Sequence, residues 1–325
     1  MRIFSGIRPT GDIHIGNYLG AIKQWIELQE KNECVFCIVD LHAITTPYKP
    51  EEMQKNILES AIIYLAAGIN PEKSVIFVQS QIKEHTELCW LLNTITPMGE
   101  LQRMTQFKEK AKKHPEYVNA GLFNYPILMA ADILLYKAQA VPVGKDQEQH
   151  VELARSIAKK FNQKFGEIFP EPKSILPKMG AKIMSLFDPK KKMSKSDDAK
   201  SYISLFDAPE DIQKKIMSAT TDSGKTITYE PAKKPGLSNL LTIYSLLTDK
   251  PISNIEKQFK EKGYGDFKKS LTKVLIDYLE PFRRKQKELL LREVYVQEIL
   301  NKGKARALTI AQTTIQETRE KMGLI

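Results

Sequence analysis

Two short segments of this 325-residue chain hold residue types and spacings that could do chemistry on a phosphate. The first is Pro9-Thr10-Gly11-Asp12-Ile13-His14-Ile15-Gly16-Asn17, joining a strand-like run to a helical pattern. Such a junction presents backbone N–H groups and the positive end of a helix to an anion. His14 and Asn17, three apart, project from one side of the first turn and can add donors. Gly16 between them leaves room for a flat ring to lie against the backbone. By itself the segment is also readable as a tight turn with a capping residue. The second is Lys192-Met193-Ser194-Lys195-Ser196, within a run that has four lysines in six residues, 190–195. Like charges so close repel, and a triphosphate would neutralise Lys192 and Lys195 together. Alone, that run also reads as a solvated linker.

A third grouping comes from helical spacing. Tyr125, Leu128, Met129 and Asp132 fall on one face of a helix. A carboxylate on an apolar stripe is costly to bury unless it meets a donor. It can only accept. Asp132 therefore either receives a donor from a ligand or caps or pairs within the protein. Cys34 and Cys37 form a C-x-x-C, but Cys89 is the one other cysteine in the chain, too few for a four-thiolate site. Within the apolar run from Cys34 to Val39 they read as small buried hydrophobes, so no metal ligands are assigned.

The elements that must position these residues alternate in the first half. Strand-like runs are expected at 2–5, 34–40, 74–79 and 141–143. Helices are expected at about 15–31, at 50–67 after Pro50-Glu51-Glu52, and at 146–161. Alternation of this kind gives an α/β fold, a Rossmann-like doubly wound parallel sheet with ligands at the carboxyl ends of its strands. Downstream of Met184 the pattern is helical only: 211–218, 237–247, and a long helix over 267–300 kinked at Pro281. The division expected is a catalytic domain, 1–188, and an all-helical domain, 189–325. Residues 223–235 read as an exposed loop.

Charge follows the same division. Through residue 188 there are 22 Lys and Arg against 21 Asp and Glu, and from 189 onward 27 against 18, so +9 of the net +10 lies in the C-terminal part. A basic part beside a neutral one suits chemistry in one and an anionic polymer on the other, although a solvated basic face has the same composition. No apolar run approaches the roughly 20 residues that cross a bilayer, and the chain opens directly on a strand-like run. A cytoplasmic protein with no membrane partner is expected.

His14-Ile15-Gly16-Asn17 resembles the HIGH signature of class I aminoacyl-tRNA synthetases, and Lys192–Ser196 is their KMSKS signature in full. Further segments resemble the tryptophanyl branch: Ser5 to Gly11, Val39 to Thr45 with His42, Met104 to Lys108, Tyr125 to Tyr136, and Val141 to His150. The resemblance covers nearly the whole chain, most strongly 4–200. It implies activation of L-tryptophan by ATP with Mg²⁺ on the phosphates, transfer to tRNA(Trp), and a homodimer, with no role for DNA. It assigns ATP to Arg8, Pro9, Thr10, Gly16, Asn17, Gly144, Lys145, Asp146, Ile183, Lys192, Met193, Ser194, Lys195 and Ser196. It makes Lys192, Lys195, His14 and Lys110 catalytic, Lys110 reaching the pyrophosphate. Asp132 would meet the indole nitrogen, with His42 in the same set. Tyr125 and Gln147 would hold the amino acid's backbone groups, and Phe4, Met129, Val141 and Val143 would wall the ring. Two positions depart from the family habit: Arg8 where glutamine is common and Lys145 where glutamate is. Both add positive charge. The readings that compete are a tyrosyl enzyme of the same class, a small-molecule nucleotidyltransferase, and a synthetase paralogue kept for binding alone.

Overall fold

Continuous apolar runs such as Cys34–Val39 bury both faces of a strand, and in the computed structural model they form a five-stranded, wholly parallel sheet. The structure describes residues 1–9, 13–113, 115–176, 183–194 and 198–325. The strands are β1 (Arg2–Ile7), β2 (Glu33–Ile38), β3 (Ser74–Val78), β4 (Ala140–Pro142) and β5 (Lys173–Ile175), in the order β3-β2-β1-β4-β5. Strand β5 has three residues, none fully buried, which is why its sequence carries no strand signal. The order reverses at β1, whose Ile3 pairs with Cys34 on one side and Ala140 on the other. With right-handed crossovers, such a reversal winds helices onto both faces and opens a crevice at the carboxyl ends of the strands.

The longer helices are α1 (Pro50–Ala66), α2 (Glu84–Asn93), α3 (Ala120–Leu135), α4 (Glu148–Phe165), α5 (Pro209–Ser218), α6 (Pro235–Thr248), α7 (Tyr264–Leu290) and α8 (Glu293–Met322). Helix α1 starts as its sequence dictates, with Pro50 in the first turn beside Glu51 and Glu52; it buries Ile57, Ala61 and Leu65. Just past its end Gly68 takes φ +114°, a conformation that L side chains rarely adopt. Two expectations fail here. The helix expected over 15–31 is three pieces, with a wide π turn at Tyr18–Ile22 between Ile15–Asn17 and Lys23–Gln29. The helix expected over 267–300 is two helices: α7 runs on through Pro281, which is exposed, and the break falls at Leu291-Arg292. Proline therefore marks a solvent-side position, not a boundary.

The chain divides into two compact units, and neither follows the expected boundary at 188/189. The first unit is Met1–Gly11, Trp25–Pro177 and Arg292–Ile325; the second is Asp12–Gln24 and Lys178–Leu291. Helix α8 thus belongs with the sheet. It packs on β3 so closely that a β-carbon on Gly303 would stand 1.7 Å from the Ile76 carbonyl oxygen. Nearby, Arg306 donates to the Ser74 carbonyl. Ion pairs Lys137–Glu317 and Arg319–Glu87 hold the same helix to the unit.

The second unit has no strand longer than an isolated bridge among its described residues. Helices α5 and α6 pack on α7, whose Phe267, Leu271, Leu275 and Leu279 are fully buried along one stripe. Tyr18 seats the N-terminal segment of this unit against Tyr278 and Phe282, ring centroids 6.3 and 5.0 Å away. The basic excess concentrates here: 24 Lys and Arg against 16 Asp and Glu, a balance of +8. No described helix of the chain is long and apolar enough to cross a membrane.

Candidate functional site

In the first unit the segments just past β2 and β3, helix α2 and the last turn of α3 bring together a buried polar cluster around Asp132. Its side chain is 1% exposed and accepts three hydrogen bonds. His42 Nε2, just past β2, donates to Oδ2 at 2.8 Å. Gln79 Nε2, just past β3, and His85 Nδ1 on α2 donate to Oδ1 at 2.7 and 2.6 Å. Burial alone would push this carboxyl up; the hydrogen bonds from His42 and His85 outweigh it and hold it down at about 2. Because His85 gives its Nδ1 proton to Asp132, a neutral His85 must accept at Nε2, where Tyr136 Oη lies at 2.8 Å. The relay Tyr136–His85–Asp132 fixes one tautomer and one carboxylate orientation.

One helical turn or two from Asp132, Met129 and Tyr125 share its face. Tyr125 is buried, bonded to His150 Nε2 at 2.9 Å, and lies edge-on to the His42 ring. Burial pushes its phenol up to about 12, with Arg8 pulling the other way, so it stays a protonated donor at neutral pH. Arg8 extends from the end of β1 toward the His42 carbonyl, 3.3 Å away, and Pro9 beside it is buried. Phe4 and Val141 lie in the hydrophobic core, and Met129 and Val143 pack against it. Past β4, Gly144, Lys145 and Asp146 are exposed, and Gln147 donates to Asp146 at 2.9 Å. A β-carbon on Gly144 would sit 2.7 Å from Oδ1 of the exposed Asp146 side chain, which would have to turn aside.

In the second unit His14 caps the helical turn Ile15–Asn17 reciprocally. Its Nδ1 accepts from the Asn17 N–H at 3.2 Å, while Asn17 Oδ1 accepts from the His14 N–H at 3.4 Å. That bond places the proton of a neutral His14 on Nε2, making this ring nitrogen a donor. The backbone here is held by the 203–205 segment, through Ile15 N to Ile203 O and Leu205 N to Ile13 O, both 2.9 Å. A β-carbon on Gly16 would meet the His14 ring at 3.0 Å and Ile183 at 3.5 Å. Ile183 begins a short antiparallel hairpin that leads into the lysine segment, with Met184 opposite Lys192. Lys192 is exposed, Met193 buried and Ser194 half-buried. Thr10, Lys195, Ser196 and the side chain of Lys110 lie outside the described residues.

Comparison with known proteins fits this geometry. Residues 1–280 match the family described as tRNA synthetases class I (W and Y). The chain belongs to the class I tRNA synthetases. Among the relatives of this synthetase, a tryptophan–tRNA ligase of Caldanaerobacter subterraneus subsp. tengcongensis is 52% identical over 325 residues, covering 100% of this chain and 98% of that one. One from Helicobacter pylori is also 52% identical, covering 100% and 99%. The Campylobacter jejuni tryptophanyl-tRNA synthetase, crystallised with ADP and tryptophan, superposes with a TM-score of 0.87 at 39% identity, covering 99% of this chain and all of that one.

For a synthetase of this class, the structure brings Asp132, His42 and Tyr125 into one cluster and sets Phe4, Met129, Val141 and Val143 in and against one core. It also gives Asp132 partners that sequence reading missed: Gln79, His85 and, through His85, Tyr136; His150 behind Tyr125 was missed as well. A signal for the first two was present. Gln79 and His85 follow a strand that is apolar from Val75 to Val78, and polar residues just past such a strand sit where α/β sheets hold ligands. Cys34 and Cys37 are buried in β2, where burial pushes the Cys34 thiol up to about 11 and the Cys37 thiol well above its ordinary value. Arg283 is 6% exposed and spends its guanidinium on Glu280 and the Ile276 and Asp207 carbonyls, so it is part of the packing.

Proposed function

We propose that the protein activates L-tryptophan with ATP and transfers it to tRNA(Trp). The observation that carries this reading is likeness over the full chain, at about half identity, to tryptophan–tRNA ligases. The Asp132 cluster supports it chemically. A carboxylate offers about four acceptor directions. Three are taken by protein donors, leaving one for an indole N–H. Tyr125 and Gln147 hold the amino acid's polar groups, and Phe4, Met129, Val141 and Val143 wall its ring.

In this reading the tryptophan carboxylate attacks the α-phosphorus of ATP in line, the bond to the bridging oxygen breaks, and pyrophosphate leaves. A ribose hydroxyl of the tRNA then attacks the adenylate carbonyl and releases AMP. No protein nucleophile takes part. The protein aligns the reactants and places donors where charge develops. Lys192, Lys195, Lys110 and the His14 Nε2–H supply those donors. Arg8, Pro9, Thr10, Gly16, Asn17, Gly144, Lys145, Asp146, Ile183, Met193, Ser194 and Ser196 shape the nucleotide's surroundings. Among the described residues no cluster of three or more His, Cys, Asp or Glu could hold a metal ion. Mg²⁺ would come with the ATP phosphates and neutralise part of their charge.

The second unit, with its balance of +8, takes the tRNA. The protein works in the cytoplasm as a homodimer, and Trp90 and Met98, 71% and 61% exposed, offer apolar surface for a second copy to cover. Pyrophosphate exchange measured with tryptophan and with tyrosine tests the assignment. Exchange driven by tryptophan supports it, and exchange driven by tyrosine alone would replace it with the tyrosyl activity of the same class.

A further inference from the structure

Helix α6 carries a buried amide that no step above uses. Asn239 is 5% exposed, and it makes both its hydrogen bonds to a single residue of the hairpin that leads into the lysine segment. Its Nδ2 donates to the Met184 carbonyl and its Oδ1 accepts from the Met184 N–H, each at 2.9 Å. The pairing within the hairpin explains why this matters. Met184 stands opposite Lys192, and the cross-strand bonds flank that pair: Met193 N to Ile183 O at 3.0 Å and Ser185 N to Lys191 O at 2.9 Å. In an antiparallel ladder, the residue at such a position turns its own N–H and C=O away from its partner strand. Those of Met184 face α6, and an unpaired buried amide there is costly. Asn239 supplies the missing donor and acceptor as a third strand would. Ser185 Oγ closes the turn by accepting from Phe187 and Asp188.

We propose that Asn239 is a positioning residue for Lys192. By gripping Met184 it fixes the strand against which Lys191–Met193 is registered, and so the direction in which Lys192 leaves the hairpin. The same grip holds Ile183, the neighbour of Met184, beside Gly16. The inference rests on the functional reading above for what Lys192 does. Its scope is new, because it places part of the control of the lysine segment in a helix about fifty residues downstream that carries no phosphate ligand.

Three variants of the full-length protein test it: Asn239→Ala, Asn239→Asp and Thr242→Ala. Aspartate nearly matches asparagine in shape and keeps an acceptor for the Met184 N–H, but sets an oxygen against the Met184 carbonyl. Thr242 lies less than one turn on, is buried, and bonds only within α6, to the Ser238 carbonyl. Tryptophan-dependent pyrophosphate exchange is measured against ATP and against tryptophan. Both Asn239 variants should lose about tenfold or more in kcat/KM for ATP, as expected when a reacting group is displaced slightly. The KM for tryptophan should stay within about twofold, and Thr242→Ala should leave both unchanged. Amide hydrogen exchange should quicken at Met184 and Met193 in Asn239→Ala while α7 is unaffected. Parent-like kinetics in Asn239→Asp would overturn the proposal, since shape alone would then suffice. So would unchanged amide exchange at Met184 and Met193, or equal losses toward ATP and tryptophan in step with a lowered Tm. A parent protein without tryptophan-dependent exchange would instead defeat the functional reading, and the amide exchange would still decide whether Asn239 holds the hairpin.

Discussion

Asp132 accepts three protein hydrogen bonds, and that number sets what its replacement does. In Asp132→Asn one oxygen becomes an N–H₂ group facing His42 on one side or Gln79 and His85 on the other, donor against donor. Losing a charge-assisted partner costs a few kcal/mol. A site built around a hydrogen bond discriminates on the order of 10⁴-fold, far beyond what apolar walls achieve. We expect kcat/KM for tryptophan to fall by at least about 10²-fold with the KM for ATP nearly unchanged. A tryptophan analogue with carbon or sulfur at the ring nitrogen should be a poor substrate for the parent. The gap between it and tryptophan should shrink in the variant; an equal gap in both proteins would assign the ring nitrogen to another group. The carboxyl's depressed pKa also stabilises the fold, and the sign is that of any acid held below its ordinary value. Its contribution is fully present above pH 4 or so and is lost as pH falls from about 4 to about 2, amounting to about 2 kcal/mol. Urea unfolding of parent and variant across that range should show the difference between them closing as the acid limit is approached. At the other signature, Lys192→Ala and Lys195→Ala should each slow adenylate formation by about 10²-fold or more, the usual cost of removing one preorganised charge at a developing anion. Stopped-flow rates within a few-fold of the parent would reject that role.

Elements show where sequence was legible and where it was not. Strands β1 to β4 and helices α1 and α6 announce themselves, because apolar runs, a first-turn proline with acids, and turn residues all agree at those places. That Asp132 needs partners was legible too, since a carboxylate on an apolar helical face is an anomaly that demands one. Which partners was not legible: Gln79 and His85 reach Asp132 from segments 53 and 47 residues away in sequence, and no local pattern encodes that. The break at Leu291-Arg292 was invisible for a different reason. Both flanking segments are good helix formers, so the turn is imposed by the packing of α8 on β3. Arg283 has the same cause, a basic residue whose neighbours in space are carbonyls of its own unit. Its exposed neighbours Arg284 and Lys285 remain candidates for tRNA phosphates. Neutralising those two should weaken charging and flatten its salt dependence while leaving pyrophosphate exchange intact. Arg283→Ala should instead lower Tm and impair both reactions together, and a thermal scan beside the two assays separates the cases.

At the scale of the whole molecule, charge and apolar surface divide the work. The balance of +8 in the second unit against +10 overall leaves the first unit close to neutral, at +2. Binding of tRNA should weaken steeply with salt, because each phosphate contact releases counterions, whereas tryptophan binding should barely respond. A filter-binding titration at two ionic strengths checks the contrast. The exposed Trp90 and Met98 predict a dimer by sedimentation velocity, and Trp90→Glu should shift it toward monomer. A parent that sediments as a monomer at micromolar concentration would remove the second copy from the functional reading.

The seat of Gly303 on Ile76 has a consequence in time. Strand β3 is the edge of the sheet, its five residues are all buried, and the helix that covers it is translated about 220 residues later. At roughly 5–20 residues per second, that strand waits on the order of 10–45 s for its cover. Through that interval the growing chain displays an uncharged apolar edge with unpaired backbone groups, the kind of template on which chains aggregate. Translation speed and chaperone supply should therefore bear on the yield of this protein. A chain halted before α8 should precipitate even though its sheet is complete in sequence. Gly303→Ala, synthesised in full, should behave in the same way, because its added methyl cannot fit beside the Ile76 carbonyl; pelleting of newly made protein from a cell-free reaction distinguishes either from the parent.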